Sequence, residues 1–567
     1  MSAEEAALLR AIRDTPDDDL PRLALADWLD ENDSPERAEF LRVQVELARL
    51  PHDSARRSEL EDREHALLAE NEEHWLGDLA AADGLHEWEF ERGFLTEVAA
   101  TPFCLSEYAP AVFAANPVRR WRVMSSDQDM SQDLLAAGRS NWIRRLDAID
   151  LAGWFETIGE LERFLTRSDI GALRELDLSG RYGLNDLPDI LARSPFHAGL
   201  KVLRVGGRYG DDAPPLDATD LVRCLEPARL TEFSAVGTLM TGEDLQSLMA
   251  SASFQGLTDL DVSENELDAG ARDAFRTAKC RLRSLDMSGT PLGGILFETM
   301  LGLPALAELR VLHLERSAAG EDTVSVIPRS QLWKRLEVLR IGSIAGELHQ
   351  LNGLLDAAGP TSLRTLDLSN NRLGDGGLMR LAGSPWAGGL TWLSVAQNHI
   401  SDDGLKAFAA AGRLPHLRTL HLNFNNPEWL DESAEMSPES VGDAGLIALA
   451  GSSGFPNLRV IAVNGTAATH AAVDALLNAP HFALSGLSIQ GCQVGPEVVR
   501  VLANSPRLAR LNWLDLSHNS QLGDDVLMPL AESPYLCRLT ELDLRGNYAD
   551  DDVTAAFRQR LGRRLSL

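Results

Sequence analysis

The stretch Leu363-Arg-Thr-Leu366-Asp-Leu368-Ser-Asn-Asn371-Arg-Leu373-Gly-Asp375-Gly-Gly377-Leu378-Met-Arg-Leu381-Ala-Gly-Ser384-Pro385 contains two periods, and the change from one to the other decides the fold. Leu366 and Leu368 alternate as in a short strand with one buried face, whereas Leu373, Leu378 and Leu381 follow at near-helical spacing. Asp375 and Gly376 stand where a helix must start. Ser384-Pro385 stands where it must stop, because proline cannot continue the hydrogen-bond ladder and restrains the residue before it. The unit is therefore strand, turn, helix. Its LxxLxL head starts at Val118, Leu146, Leu173, Leu200, Leu230, Leu257, Leu282, Leu309, Leu336, Leu363, Leu390, Leu417, Leu458, Leu484, Leu511 and Leu539. Most successive starts lie 27 residues apart, the mark of stacked supersecondary units. The stop recurs as Ser194-Pro195, Ser505-Pro506 and Ser533-Pro534. Asn371 has counterparts in Asn265, Asn398, Asn425, Asn519 and Asn547, just past each strand, where a side-chain amide can satisfy backbone groups opened by the turn. A ladder of such asparagines would tie neighbouring turns together.

Composition narrows the function. With 85 acidic against 53 basic residues the net charge is -32, which repels a nucleic-acid backbone or an anionic membrane surface over most of the chain. Neither is expected as a partner. The hydrophobic fraction of 44% is ample for an extended core, and repeats grow by stacking rather than by adding domains. No signal-peptide pattern opens the chain and no run approaches the roughly 18 apolar residues of a membrane span, so a soluble, cytoplasmic protein is expected. The five cysteines, at 104, 224, 280, 492 and 537, form neither a CxxC pair nor an even framework, which fits reduced, buried thiols.

At the LxxLxL units the chain resembles the leucine-rich repeat family, and the unit length with a full helix resembles its ribonuclease-inhibitor subtype, over roughly residues 90 to 567. The resemblance implies an α/β solenoid in the form of a horseshoe, with parallel strands on the concave face and helices on the convex face. The physical reason is independent of the family: one unit cannot bury the apolar faces of its own strand and helix, so neighbours must stack. Sixteen strands at about 4.8 Å would span on the order of 75 Å.

Residues 1–50 read as a separate, small all-α module. Ser2-Ala-Glu-Glu5 has capping-box spacing ahead of Leu8, Leu9 and Ile12, and Ser34-Pro35-Glu36 opens a helix carrying Phe40, Leu41, Val45 and Leu47. Residues 17–47, with Ala26-Asp27-Trp28-Leu29 and Glu39-Phe40-Leu41-Arg42 as the matching core, resemble the short repeat-companion domain that precedes repeats in some large-genome bacterial proteins. That resemblance implies a bacterial repeat protein and assigns no activity. Trp28 and Leu29 read as core; Asp17, Asp18 and Asp19 stand before a helix start, where negative charge is favourable. Residues 51–117 form a transition and N-terminal cap, with a charged helix over Ser54 to Glu73 and a degenerate first strand at Phe90–Val98. Residues 118–567 form the array of about 16 units, interrupted near 426–440, where the spacing from Leu417 to Leu458 lengthens.

Enzyme signatures are absent from the sequence: there is no GxxxxGK[ST] phosphate loop, no GxGxxG after a strand, no HExxH, no GxSxG, and the thirteen histidines show no metal-ligand spacing. The expectation is a non-catalytic protein-binding scaffold without cofactor, metal or catalytic residue. Two other readings stay open. One is regulation of an enzyme, as inhibitor or GTPase activator; the other is a structural adaptor bridging two proteins. The glycine-acid groups Asp375-Gly-Gly377 and Gly523-Asp-Asp525 move with the repeat and read as helix caps.

For binding, the informative positions are those between the leucines, which face away from the core. The position between the last two apolar residues is Asp at 150, 177, 261, 286, 367, 515 and 543, and basic or imidazole at Arg204, His313, Arg340 and His421. Either this acidic row steers a protein or peptide with a basic patch, or an unpaired stack of carboxylates keeps the sheet soluble. Trp392 should face outward with His421 and Phe424 of the next unit beside it, and the inserted segment carries Trp429 next to that group. Trp513 is a second outward aromatic. The expected partner-binding residues are Trp392, His421, Phe424, Trp429, Trp513, His313 and Arg340. The reading that competes is a closed surface in which Trp392 packs on Trp429.

Overall fold

The computed structural model describes residues 2–50, 55–125, 130–152, 158–180, 186–207, 218–291, 293–317, 324–344, 348–359, 362–425, 440–492, 494–536, 539–561 and 565–566. The chain divides into two compact units, residues 1–265 with 277–280, and residues 266–276 with 281–567.

The first unit opens with four helices: α1 (Ala3–Asp14), α2 (Leu20–Glu31), α3 (Pro35–Arg49) and α4 (Ala55–Leu76). The capping box forms as the spacing predicts: Ser2 Oγ accepts from the Glu5 N–H at 3.0 Å and Glu5 Oε2 from the Ser2 N–H at 3.1 Å. Leu9, Ile12, Leu25, Ala26, Ala38 and Leu41 make one cluster with Phe94; Trp28 and Leu29 pack on it partly buried. The segment read as one degenerate strand is a hairpin. Strands β1 (Leu85–Glu91) and β2 (Phe94–Ala100) pair antiparallel around Arg92 and Gly93, both at positive φ. Two facts make Gly93 obligatory: its φ of +86°, and Leu41 Cδ2 only 2.1 Å from where a Cβ would sit. A period-2 pattern cannot reveal such a turn when the strands on both sides share it.

From β2 onward the strands run parallel, each in register with the next: β3 (Arg120–Val123), β4 (Ala148–Asp150), β5 (Glu175–Asp177), β6 (Val202–Gly206), β7 (Glu232–Val236) and β8 (Asp259–Asp261). The second unit continues the same construction with β9 (Ser284–Asp286), β10 (Val311–His313), β11 (Val338–Arg340), β12 (Thr365–Asp367), β13 (Trp392–Ser394), β14 (Thr419–His421), β15 (Val460–Ala462), β16 (Gly486–Ser488), β17 (Trp513–Asp515), β18 (Glu541–Asp543) and β19 (Leu565–Ser566). The middle leucine of each short strand faces the core; Leu312, Leu339, Leu366, Leu393 and Leu420 are wholly buried.

The asparagine ladder exists. Asn398 Oδ1 accepts from the N–H groups of Asn371 (2.9 Å) and Leu373 (3.0 Å), while its Nδ2 donates to the carbonyls of Leu368 and Ala396. Asn398's own N–H goes to Asn425 Oδ1 at 2.8 Å, and Asn371 Nδ2 reaches back to Ile341 O. All three are fully buried. Where a repeat lacks the asparagine, a short polar side chain takes part of its work: Thr290, Ser317 and Thr466 donate to the carbonyl three residues back, and the Cys492 thiol donates to Val463 O. The four described cysteines are buried thiols; Cys537 lies outside the described residues.

The helix-start acids do something other than cap their own helix. Asp375, in the helix Gly374–Gly383, accepts from the N–H and hydroxyl of Ser401, the N-cap of the following helix Asp402–Ala411. Asp443 does the same to Thr469, and Asp402 accepts from Gly442 and Gly445. Each carboxylate thus fastens the start of the next helix, where a negative charge is favourable.

Candidate functional site

The outward faces of β9 to β18 are built by register alone. The first outward position of each strand gives a column: Val311, Val338, Thr365, Trp392, Thr419, Val460, Gly486 and Trp513 are successive in-register neighbours on β10 to β17. All are half-buried except Gly486, which is buried. Ser284 precedes the column and Glu541 follows it. This mixed column of valines, threonines, tryptophans and one glycine runs about 34 Å across eight strands at about 4.8 Å each. The valines of this stripe were visible in LRVLHL, LEVLRI and LRVIAV, at the position that holds Trp392 in LTWLSV.

Trp392 is the widest member of the column and has partners on both sides. The imidazole of His421 lies with its centroid 5.0 Å away, tilted 42°. The Arg340 guanidinium approaches from two strands away, its Cζ 5.8 Å from the indole centroid, spanning β12. A cation over an indole face is an attractive arrangement. On the strand between Arg340 and Trp392 stands Asp367, the register neighbour of both Arg340 and Ser394. Burial pushes the His421 imidazole below its ordinary range, and the negative charge of Asp367 opposes that shift. Burial raises the carboxyl of Glu315, with Asp367 adding to the effect and Arg340 and His313 opposing it. His313 Nδ1 meets Asp286 Oδ2 at 3.1 Å. Burial would raise Asp286, but the hydrogen bonds from His313 and Ser288 outweigh it and hold that carboxyl below the usual range. Arg340, Trp392, His421 and His313 therefore share one continuous surface around Asp367.

The other expected residues have contacts of their own or lie outside the described residues. Phe424 has φ +54°, and its N–H donates to Asn464 O at 2.6 Å. Its ring rests on Gly465, where a Cβ would come within 2.4 Å of Phe424 Cδ1. Trp513 leans over Gly486 in the same way, with Cε3 3.0 Å from the position a Cβ would take. Trp429 and the inserted segment 426–439 lie outside the described residues.

The row of aspartates is not unpaired. Every one of the seven accepts, through Oδ1, the N–H two residues on: Ala152, Ser179, Ser263, Ser288, Ser369, Ser517 and Arg545, at 2.8 to 3.0 Å. These are Asx-type turns that close each strand end, and the Asp-x-Ser spacing was their signal. In most of them the second oxygen also has a partner: Arg122 on Asp150, Arg204 on Asp177, Ser234 on Asp261 and Ser488 on Asp515. The expectation of an unpaired acidic stack is corrected accordingly.

In the first unit a concavity of about 980 Å³ lies among α2, α3, α4, the β1–β2 hairpin and the leading ends of β3 to β7. Its floor is charged but internally paired, as in Arg119 with Asp147 at 2.5 Å, Arg57 with Glu61 at 2.8 Å and Arg120 with Glu175 at 3.0 Å. Among the described residues there is no cluster of three or more His, Cys, Asp or Glu placed to hold a metal ion, and no helix long and apolar enough to cross a membrane.

No curated protein matches the chain. Among solved structures it is similar to the crystal structure of the Rad7 and Elc1 complex in yeast, at 14% identity over 81% of this chain and 94% of that one, with a TM-score of 0.41. It is also similar to an internalin, inlF, of Listeria monocytogenes str. 4b F2365, at 16% identity over 69% of this chain and 86% of that one, with a TM-score of 0.28. Residues 359–382 and 390–409 match the family model described as Leucine Rich repeat, which covers β12, β13 and the helices that follow them. Parallel register and buried strand leucines continue on either side of the matched residues, so each unit is built as an α/β solenoid of stacked strand-and-helix repeats.

Proposed function

We propose that the chain is a protein-binding scaffold without catalytic activity, and that the column from Val311 to Trp513, centred on Trp392, is where a partner protein or peptide rests. The observation that carries this reading is the half-exposed aromatic Trp392 on an in-register column of valines, threonines and a second tryptophan, with Arg340 and His421 against its ring. Trp392, held between Arg340 and His421, supplies the aromatic and arginine side chains in which interface energy concentrates. The strands are rigid and preformed, so binding would carry little ordering cost.

The test is capture of partners by the full chain and by its Trp392→Ala variant, with folding of both checked by circular dichroism. Loss of specific captured proteins by the folded variant, and a fall in affinity of about thirtyfold or more for any one of them, is expected for a central anchor worth about 2 kcal/mol. Equal capture by both would remove Trp392 from the interface.

A further inference from the structure

The outward face of the second unit changes character at its middle. Outward side chains recur every second residue, so each strand and the turn after it contribute to successive rows. On β13 to β16 the first row is Trp392, Thr419, Val460 and Gly486, and the second is Ser394, His421, Ala462 and Ser488. The third row, just past the strands, is Ala396, Asn423, Asn464 and Gln490. None of these is an acid, a lysine or an arginine, in a chain where 24% of residues are charged and the net charge is -32. The uncharged field ends at Arg340 and Asp367 on one side and at Asp515 on the other.

Side-chain size gives this field relief. The second row is low, because Ser394, Ala462 and Ser488 are small and buried. The rows beside it stand higher, with Trp392 and Trp513 half-exposed on one and Asn423 and Gln490 half-exposed on the other. At two residues per row, each flanking row lies about 6.6 Å from the middle one, so a trough crosses the strands between indoles and amides. The amides present nitrogen to it. Asn423 Oδ1 accepts from the Asn464 N–H at 2.9 Å, and Gln490 Oε1 accepts from Asn464 Nδ2 at 3.4 Å. Asn423 Nδ2 and Gln490 Nε2 donate to no group among the described residues. Ser488 is spent within the wall, its Oγ in hydrogen-bond contact with Asn464 Oδ1 and Asp515 Oδ2.

We infer that this trough binds a proline-rich peptide segment in the polyproline II conformation, laid across the strands with proline rings against Trp392 and Trp513 and backbone carbonyls accepting from Asn423 Nδ2 and Gln490 Nε2. The inference rests on the reading of the Trp392 face as the binding surface and names the chemistry of the partner. Donors and acceptors match. A proline has a carbonyl but no N–H, and a polyproline II chain makes no internal hydrogen bonds, so its carbonyls need outside donors and it strands no amide proton of its own. A helix has already spent those carbonyls on itself. The spacing agrees as well: Asn423 and Gln490 stand two strands apart, about 10 Å, and three residues of polyproline II advance about 9.3 Å. Aromatic-lined grooves take such segments because the conformation is preformed. A neutral oligosaccharide would also stack on indoles, but its hydroxyl donors would meet amide oxygens already occupied.

Calorimetric titration of the full-length protein with end-blocked decaproline, with a length-matched, end-blocked Gly-Ser peptide and with maltohexaose is the test. Decaproline should bind at least about tenfold more tightly than the Gly-Ser peptide. Trp392→Ala should weaken decaproline binding by about tenfold or more, and Gln490→Ala by about fivefold, the loss of one hydrogen bond. Equal binding of the two peptides, no binding of decaproline, or tighter binding of maltohexaose overturns the inference, and these comparisons need only the wild type should a variant fail to fold. Unchanged decaproline affinity in the folded variants overturns it as well. Partner capture that depends on Trp392 without any binding of decaproline overturns this inference alone and leaves the scaffold reading in place.

Discussion

At the scale of single residues, the same position type can carry opposite weights, and the hydrogen bonds decide which. Asn398 satisfies four backbone groups in two repeats, three of them buried. Asn398→Ala would orphan them at about 1–3 kcal/mol each before any relaxation, so a loss of about 3 kcal/mol or more is expected in urea unfolding. Asn457→Ala, whose amide makes one exposed bond to Pro415 O, should cost under about 1 kcal/mol and serves as the control. His421 gives a second measurement. Its folded pKa lies below that of the unfolded chain, so the unfolded state takes up the proton first, and stability is lost as pH falls through the ordinary histidine range toward the folded value. An NMR titration of the His421 ring should show a midpoint below the ordinary histidine value of about 6.5, and Asp367→Asn should move it lower still, because the opposing negative charge is gone. A midpoint at or above 6.5 would contradict the burial of this ring. The asparagine ladder was legible in the sequence because one residue type recurs at one offset. The aspartate row was equally visible, but its turn-closing bond was not, since a carboxylate's partner two residues ahead is a backbone N–H that carries no letter of its own.

At the scale of elements, turns and close approaches were the least legible features. The 27-residue period placed the strands and the Ser-Pro helix stops; Ser194, Ser384 and Ser505 are the C-cap residues it predicts. It could not separate β1 from β2, because both strands share the apolar pattern and only Arg92 and Gly93 divide them. Nor could it bring Arg37 to Phe90 and Phe94, since that contact crosses from a helix to a hairpin some 50 residues on. Gly93 is the position where those two elements touch. Gly93→Ala must clash with Leu41 and adopt an unfavourable φ, and a destabilisation of about 3 kcal/mol or more is expected for the helices and hairpin. Limited proteolysis should then cleave within residues 1–100 before the later repeats; a variant as resistant as wild type would show that α3 can give way without cost.

At the scale of the whole chain, a fixed period makes length itself a structural variable. Each repeat bonds chiefly to its two neighbours, so stability accumulates repeat by repeat. Removing residues 363–389, one full period, would join Ser362 to Leu390 and let Asn398 bond the turn that Asn371 now serves. This shortened chain should keep its circular dichroism per residue and stay monodisperse in sizing. Removing about half a period, residues 363–376, should destroy both, because the strand would reach its neighbour where a helix is needed. Loss of fold in both deletions would mean that the repeats depend on more than adjacent contacts. The outward column has a related consequence for how such a chain can change. Val338, Thr365 and Thr419 flank Trp392 in register but take no part in the leucine core or the asparagine ladder. What the surface recognises and what holds the chain together are therefore written in separate columns of one grid, and specificity can be rewritten down one column while the other is copied unchanged.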